Sequence, residues 1–219
     1  MRNNLVLLVS LFAFSCHALA KEYGHYDPMK ILTVTKSSNG EQYGLDLLYI
    51  DRVIRDLSIH AGRYPTRFDS DDDKQRARND VRVISGMLDV VVEDPGVGGD
   101  LLKRSSILNS IGKNLDVPGT AKRADRDFRN LLRRYPDDPH SNYLYGSFLG
   151  GSNKTNEAIP YLKRAAELGI ADAYFALGMA YVMKKDDKAA ISYFEEYKEH
   201  KPDGRDVTGI IKAIRSGNI

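Results

Sequence analysis

Apolar residues recur at helical spacing from residue 43 almost to the C-terminal end of this chain, interrupted at short intervals by Gly, Pro and Asp. From Tyr43 onward, Leu47, Ile50, Ile54, Leu57 and Ala61 make one stripe, which Gly62 and Pro65 close. Steps of three and four place such side chains on one face of an α-helix. A second helix is predicted from Ser70, an N-cap candidate with Asp73 three residues on and Asp71 and Asp72 at the positive end of the helix dipole. Ala77, Val81, Ile84, Leu88 and Val91 continue it until Asp94-Pro95-Gly96. These two helices are expected to pair as an antiparallel hairpin, giving a unit of hairpin and connector over 43–104. The segment 21–42 before it is polar and broken by Gly24, Pro28, Ser37-Ser38 and Asn39-Gly40. Ile31 to Thr35 allow a short extended piece, but the segment is predicted to be a flexible arm outside the core.

The most regular stretch is 171–202. Tyr174, Leu177, Gly178 and Tyr181 share one helix face, Lys185-Asp186-Asp187 turns the chain, and Ala190, Phe194 and Tyr197 share a face of the next helix before Pro202. Gly178 and Ala190 are small where two antiparallel helices must come close. The same register runs backwards: Gly178 finds Gly146 and Gly112, Ala190 finds Ala158 and Ala124, and Phe194 finds Leu162 and Phe128. Pro202 has its counterpart in Pro136. Three aligned columns define units at 105–138, 139–170 and 171–204.

This order of aromatic, Leu-Gly, Tyr, Ala, Phe and Pro resembles the tetratricopeptide repeat, with Tyr197 departing where that family has Ala. The join Glu167-Leu168-Gly169-Ile170 also resembles the related Sel1-like repeat. The resemblance implies an all-α solenoid of antiparallel helix hairpins. The N-terminal hairpin would cover one end, and a capping helix over 205–219, with Val207, Ile210, Ile211 and Ile214 as its stripe, the other. It further implies a concave groove lined by the first helix of each unit. On this sequence the groove places are Ser106, Asn109, Lys113 and Asp116; His140, Tyr143, Ser147 and Gly150; and Asp172, Phe175, Met179 and Val182. Asn109 and Lys113 would hold the backbone or carboxylate of a peptide, and Tyr143, Phe175, Met179 and Val182 its apolar side chains, with Ser147 between. The competing reading packs Phe175 and Met179 against the C-terminal helix.

Composition narrows the function. Lys+Arg 32 against Asp+Glu 30 in 219 residues gives a net charge of +2, so no dedicated nucleic-acid binder is indicated. Arg2, the apolar run Leu5 to Phe14 and Ala18-Leu19-Ala20 read as an export signal over 1–20, giving a mature chain from Lys21 with no transmembrane span and a periplasmic location. A rival reading takes Ala13-Phe14-Ser15-Cys16 as a lipoprotein box with a lipid anchor on Cys16.

Asp69, Asp71, Asp73 and Asp80 have the spacing of a calcium loop, but Lys74 stands where such a loop needs Gly, so helix capping is the simpler account. Gly96-Val97-Gly98-Gly99 lacks the Gly-Lys-Ser/Thr of a phosphate loop and reads as a connector. His25, His60, His140 and His200 are scattered and read as surface residues, with no metal site. Arg123, Arg126, Arg129 and Arg133 share a helix face that Asp125 and Asp127 neutralise locally. No catalytic motif and no cofactor site is found. The expected object is an exported, non-enzymatic interaction module or scaffold in a bacterial envelope assembly, with a protein or peptide partner. A structural accessory subunit that uses no groove is the alternative.

Overall fold

The computed structural model describes residues 22–38 and 40–218. The expected export signal over 1–20, and Cys16 with it, lies outside them. Among the described residues no helix is long and apolar enough to cross a membrane. After a 3-10 turn at Pro28–Ile31 come strands β1 (Leu32–Ser37) and β2 (Gly40–Leu45). Helices follow in the order α1 (Leu47–Ala61), α2 (Asp71–Val92), α3 (Gly99–Asn114), α4 (Thr120–Arg134), α5 (Pro139–Gly150), α6 (Thr155–Glu167), α7 (Asp172–Met183), α8 (Asp187–His200) and α9 (Thr208–Arg215).

The three repeat units are the hairpins α3–α4, α5–α6 and α7–α8, each packed pairwise and stacked on the next. The glycine column explains how closely their helices approach. A Cβ on Gly146 would lie 2.7 Å from Leu162, and one on Gly178 would lie 2.6 Å from the Phe194 ring. At Gly112 the neighbour is Thr120, at 2.7 Å, in place of the Phe128 of the sequence register. The alanine column, Ala124, Ala158 and Ala190, is fully buried. The first unit begins earlier than 105, because α3 starts at Gly99 and the connector is only 93–98. On α9, Ile211 and Ile214, together with Val207 just before it, close over Ala190, Phe194 and Tyr197.

The N-terminal third departs from the expected hairpin. The backbones of α1 and α2 stand apart, and each packs instead on α3 and on the 3-10 turn. Residues 22–31, expected to be an arm, fill the gap. Tyr23 and Ile31 are both 0% exposed and share one core with Ile50, Leu57, Val81 and Ile84. The physical reason is a polar clasp no periodicity reveals. The Tyr23 hydroxyl donates to Asp80 (2.9 Å), its amide donates to Asp73 (3.3 Å), and Arg76 donates to both its carbonyl and Asp73. Gly24 and Tyr26 donate to Asp56 at 2.9 and 3.0 Å. Burial pushes the Tyr23 and Asp80 pKa values up, and that of Tyr26 up to about 12.

The rest of the arm is also ordered. β1 and β2 pair antiparallel from Leu32↔Leu45 to Ser37↔Gly40, so Tyr43 belongs to a strand. The first helix starts at Leu47, capped by Asp46, whose carboxylate accepts from the Tyr49 amide at 2.9 Å. Ser70 caps α2 through the Asp73 amide (3.1 Å), and Asp73 turns inward to the clasp. His60 is buried, not a surface residue: it stacks on Phe68 with ring centroids 5.1 Å apart.

The arginine-rich face of α4 is largely consumed in holding helices together. Asp89 on α2 accepts from Arg123 and Arg126, each at 2.7 Å, and Arg129 pairs with Asp125 (2.9 Å) and Glu157 (3.4 Å). Burial pushes the Asp89 carboxyl up, but the two guanidinium hydrogen bonds outweigh it and hold it below the usual range. A depressed folded pKa contributes stability that is present above the unfolded value and lost as pH falls through the folded one. Asp89→Asn is therefore expected to cost about 1–2 kcal/mol at pH 7, partial exposure included. The gap to wild type should close as pH drops below the ordinary 3.8 of an aspartate. Urea titrations at neutral and acid pH check this, and a gap independent of pH would contradict it.

Candidate functional site

The first helices of the three hairpins turn the same face inward, because Tyr143, Ser147 and Gly150 on α5, and Phe175, Met179 and Met183 on α7, recur at three- or four-residue steps. Together with Ile107 and Ser110 of α3 they line a concave cavity of about 860 Å³, whose remaining wall is the end of α1 and the α1–α2 connection, residues 58–67. The floor is apolar and soft. Met179 and Met183 are 40% and 54% exposed, and thioether side chains adapt to irregular partners. Phe175 is half-buried, edge-on to Phe194 (5.6 Å) and Tyr197 (5.5 Å), with the Arg205 guanidinium 4.7 Å from its ring centroid. It therefore contributes one face to the core beneath α9 and another to the cavity.

The structure brings Tyr143, Ser147, Phe175 and Met179 together on this wall, with Gly150. Three expected groove residues are elsewhere. Asn109 is fully buried: it accepts from Ser85 (2.6 Å) and donates to Ser105 (3.2 Å), so it joins α2 to α3 and cannot meet a peptide. Its neighbour Asp127 accepts from Ser105 at 2.6 Å, and burial raises its pKa. The cause is α2, which covers the face of α3 that an open repeat array would leave free. Val182 packs with Phe194 and Ile211 in the C-terminal core. Lys113 stands beside the cavity, its ammonium donating to the Gly151 carbonyl, and burial lowers its pKa.

The other places implied by the repeat register also divide. Ser106 is buried and bonds back to Lys103, Asp116 and His140 are exposed, and Asp172 pairs with Lys201 at 2.7 Å. Sequence reasoning missed Ile59 at the end of α1 and Arg63, Tyr64 and Arg67 of the α1–α2 connection, which reach the cavity. No sequence signal marks them, since a connector outside the repeats has no register to inherit.

Three short antiparallel hairpins with small residues at each crossing and a concave inner face are now in view, and residues 148–205 match the family model of the tetratricopeptide repeat. This segment is a tetratricopeptide-repeat array. The match spans α6, α7 and α8 and is to the tetratricopeptide repeat itself, so the Sel1-like join remains a feature of the sequence alone. Among solved structures, YrrB, described as a TPR protein with an unusual peptide-binding site, is 18% identical, covers 72% of this chain and 82% of its own, and has a TM-score of 0.49. MamA AMB-1 is 16% identical over 70% of this chain and 96% of its own, with a TM-score of 0.37. These likenesses are too distant to place any residue of this chain. No curated protein matches the chain. A tetratricopeptide-repeat segment supports protein–protein interaction, and the cavity is the candidate docking surface.

Proposed function

We propose that this chain is an exported adaptor that holds a peptide or protein segment in its concave groove within an envelope assembly. The observation that carries the groove is the convergence of Tyr143, Ser147, Phe175 and Met179 on one cavity of about 860 Å³. That volume suits several side chains of an extended segment. Export rests on the sequence: a basic start at Arg2, a short apolar run and Ala18-Leu19-Ala20. A lipid anchor on Cys16 is the competing route to the same compartment.

A second reading, a permanent structural accessory, is favoured by one observation. Val34 and Tyr43 are cross-strand partners yet 50% and 77% exposed, and Leu32 lies on the same face, 45% exposed. A two-stranded ribbon with an open apolar face usually gains stability from further packing.

Cross-linking of the chain in an envelope fraction separates the two readings. Ser147→Arg with Met179→Asp alters exposed groove positions and leaves the packed core intact. The groove pair is expected to lose the cross-linked partner, by at least about tenfold in recovered complex, while Val34→Asp with Tyr43→Asp retains it. The reverse pattern would install the accessory reading.

A further inference from the structure

We propose that the groove's occupant is an acidic segment, with apolar side chains seated on the floor and carboxylates reaching arginines on the walls. The inference rests on the groove reading above and adds the chemistry of the partner. The charged residues that line the cavity include Arg63, Arg67 and Arg205, and no Asp or Glu lines it. Buried His60 also faces it, with Nδ1 3.1 Å from the Arg67 carbonyl and Nε2 3.8 Å from Asp56. The Lys113 ammonium stands beside the wall at Gly151.

This asymmetry does not come from composition, because acids and bases nearly balance in the chain. Seven of the thirteen other described arginines pair with a carboxylate, among them Arg104 with Asp51 (2.8 Å), Arg126 with Asp89 (2.7 Å), Arg164 with Asp137 (2.6 Å) and Arg215 with Glu195 (3.0 Å). Among the described residues Arg63, Arg67 and Arg205 make no ion pair, and all three are exposed. None sits on a repeat helix. Arg63 and Arg67 come from the α1–α2 connection, which flanks α3, and Arg205 follows α8 and lies over Phe175 on α7.

The cations therefore stand at the two ends of a wall running α3, α5, α7, with Tyr143, Phe175, Met179 and Met183 between them. Like charges around an apolar concavity focus a positive potential into it, which draws an anionic segment and repels a cationic one. Guanidinium groups also take carboxylates in bidentate geometry. An extended chain spans about 3.3 Å per residue, so a segment with acids flanking a few apolar residues meets both ends at once.

The test is selection of random twelve-residue peptides on the full chain, followed by affinity measurement of the consensus at low and high salt. Selected peptides are expected to be rich in Asp and Glu around apolar residues. The consensus should bind at least about tenfold more tightly than its Asn/Gln counterpart, with the advantage shrinking in high salt. Arg63→Glu with Arg67→Glu, both exposed and unpaired, should abolish or reverse that preference, with unchanged circular dichroism confirming the fold. Met179→Asp with Ser147→Arg should remove binding of acidic and neutral peptides alike.

Neutral or basic consensus peptides that still need Met179 would overturn the acidic partner and leave the groove reading standing. Selected peptides insensitive to the groove variant, or no selected peptides at all, would overturn both. Displacement of the acidic consensus by oligothymidylate or by phosphatidylglycerol vesicles at lower charge concentration would assign the arginines to phosphate and overturn the proposal.

Discussion

Tyr23→Ala is expected to destabilise the folded chain by about 4 kcal/mol, the cost of deleting a fully buried aromatic ring, although the residue lies outside every helix. The ring fills the gap between α1 and α2 and meets Tyr26 (5.5 Å), His60 (5.8 Å) and Phe68 (6.2 Å). Its hydroxyl is a hydrogen-bond donor to Asp80, a carboxyl only 4% exposed whose pKa burial already raises. Losing that donor pushes Asp80 higher still. A raised carboxyl pKa removes stability as pH rises through the carboxylate range, so the deficit of Tyr23→Ala should be larger at pH 7 than near pH 4.

In a chain of this size the loss corresponds to a fall in Tm of roughly 8–16 °C. Tyr23→Phe keeps the ring and should show only the hydroxyl's share, about 1–3 kcal/mol. Urea and thermal unfolding followed by circular dichroism measure both. A variant as stable as wild type would show that residues 22–31 merely rest against the core.

Gly178→Val should cost about 3 kcal/mol, through overpacking at the α7–α8 crossing. The nearest atoms a Cβ would meet there, at 2.6 to 2.8 Å, are three atoms of the Phe194 ring. That ring is itself fully buried against Ala190, Val207 and Ile211 and cannot step aside. Helix propensity favours replacing Gly by up to about 1 kcal/mol, and the clash outweighs it. Gly86 supplies the control with the opposite sign. It lies in the interior of α2, and nothing approaches within 4 Å of where its Cβ would stand. Gly86→Ala should therefore stabilise by about 0.5–1 kcal/mol. Chemical denaturation of the pair separates crossing geometry from propensity, and destabilisation by both would mean that backbone freedom is what matters at glycine in these helices.

The same contrast shows what a sequence can display. Gly178 and Gly146 are legible because each sits in a register repeated along the chain, and a Cβ on either would strike a side chain of its own hairpin partner. Tyr143, Ser147, Phe175 and Met179 share one cavity wall for the same reason: their unit supplies both the spacing and the neighbour. Asn109 fails because α2 belongs to no repeat, and its packing on α3 turns an expected groove residue into a buried link to Ser85.

The sequence by itself determined the three repeat hairpins, their register, the small residues at their crossings and the stripe that closes over α8, because these depend on neighbours within about forty positions and leave a period. Only the tertiary structure decided that residues 22–31 lock α1 to α2. It also decided that Asp73 and Asp80 serve Tyr23 as well as their own helix, and that Arg63, Arg67 and Arg205 share one cavity without an acid. Each of these joins side chains thirty or more residues apart in no repeating register, or segments from different connectors. Contacts of that kind follow from how the hairpins stack in space, and no local pattern along the chain carries them.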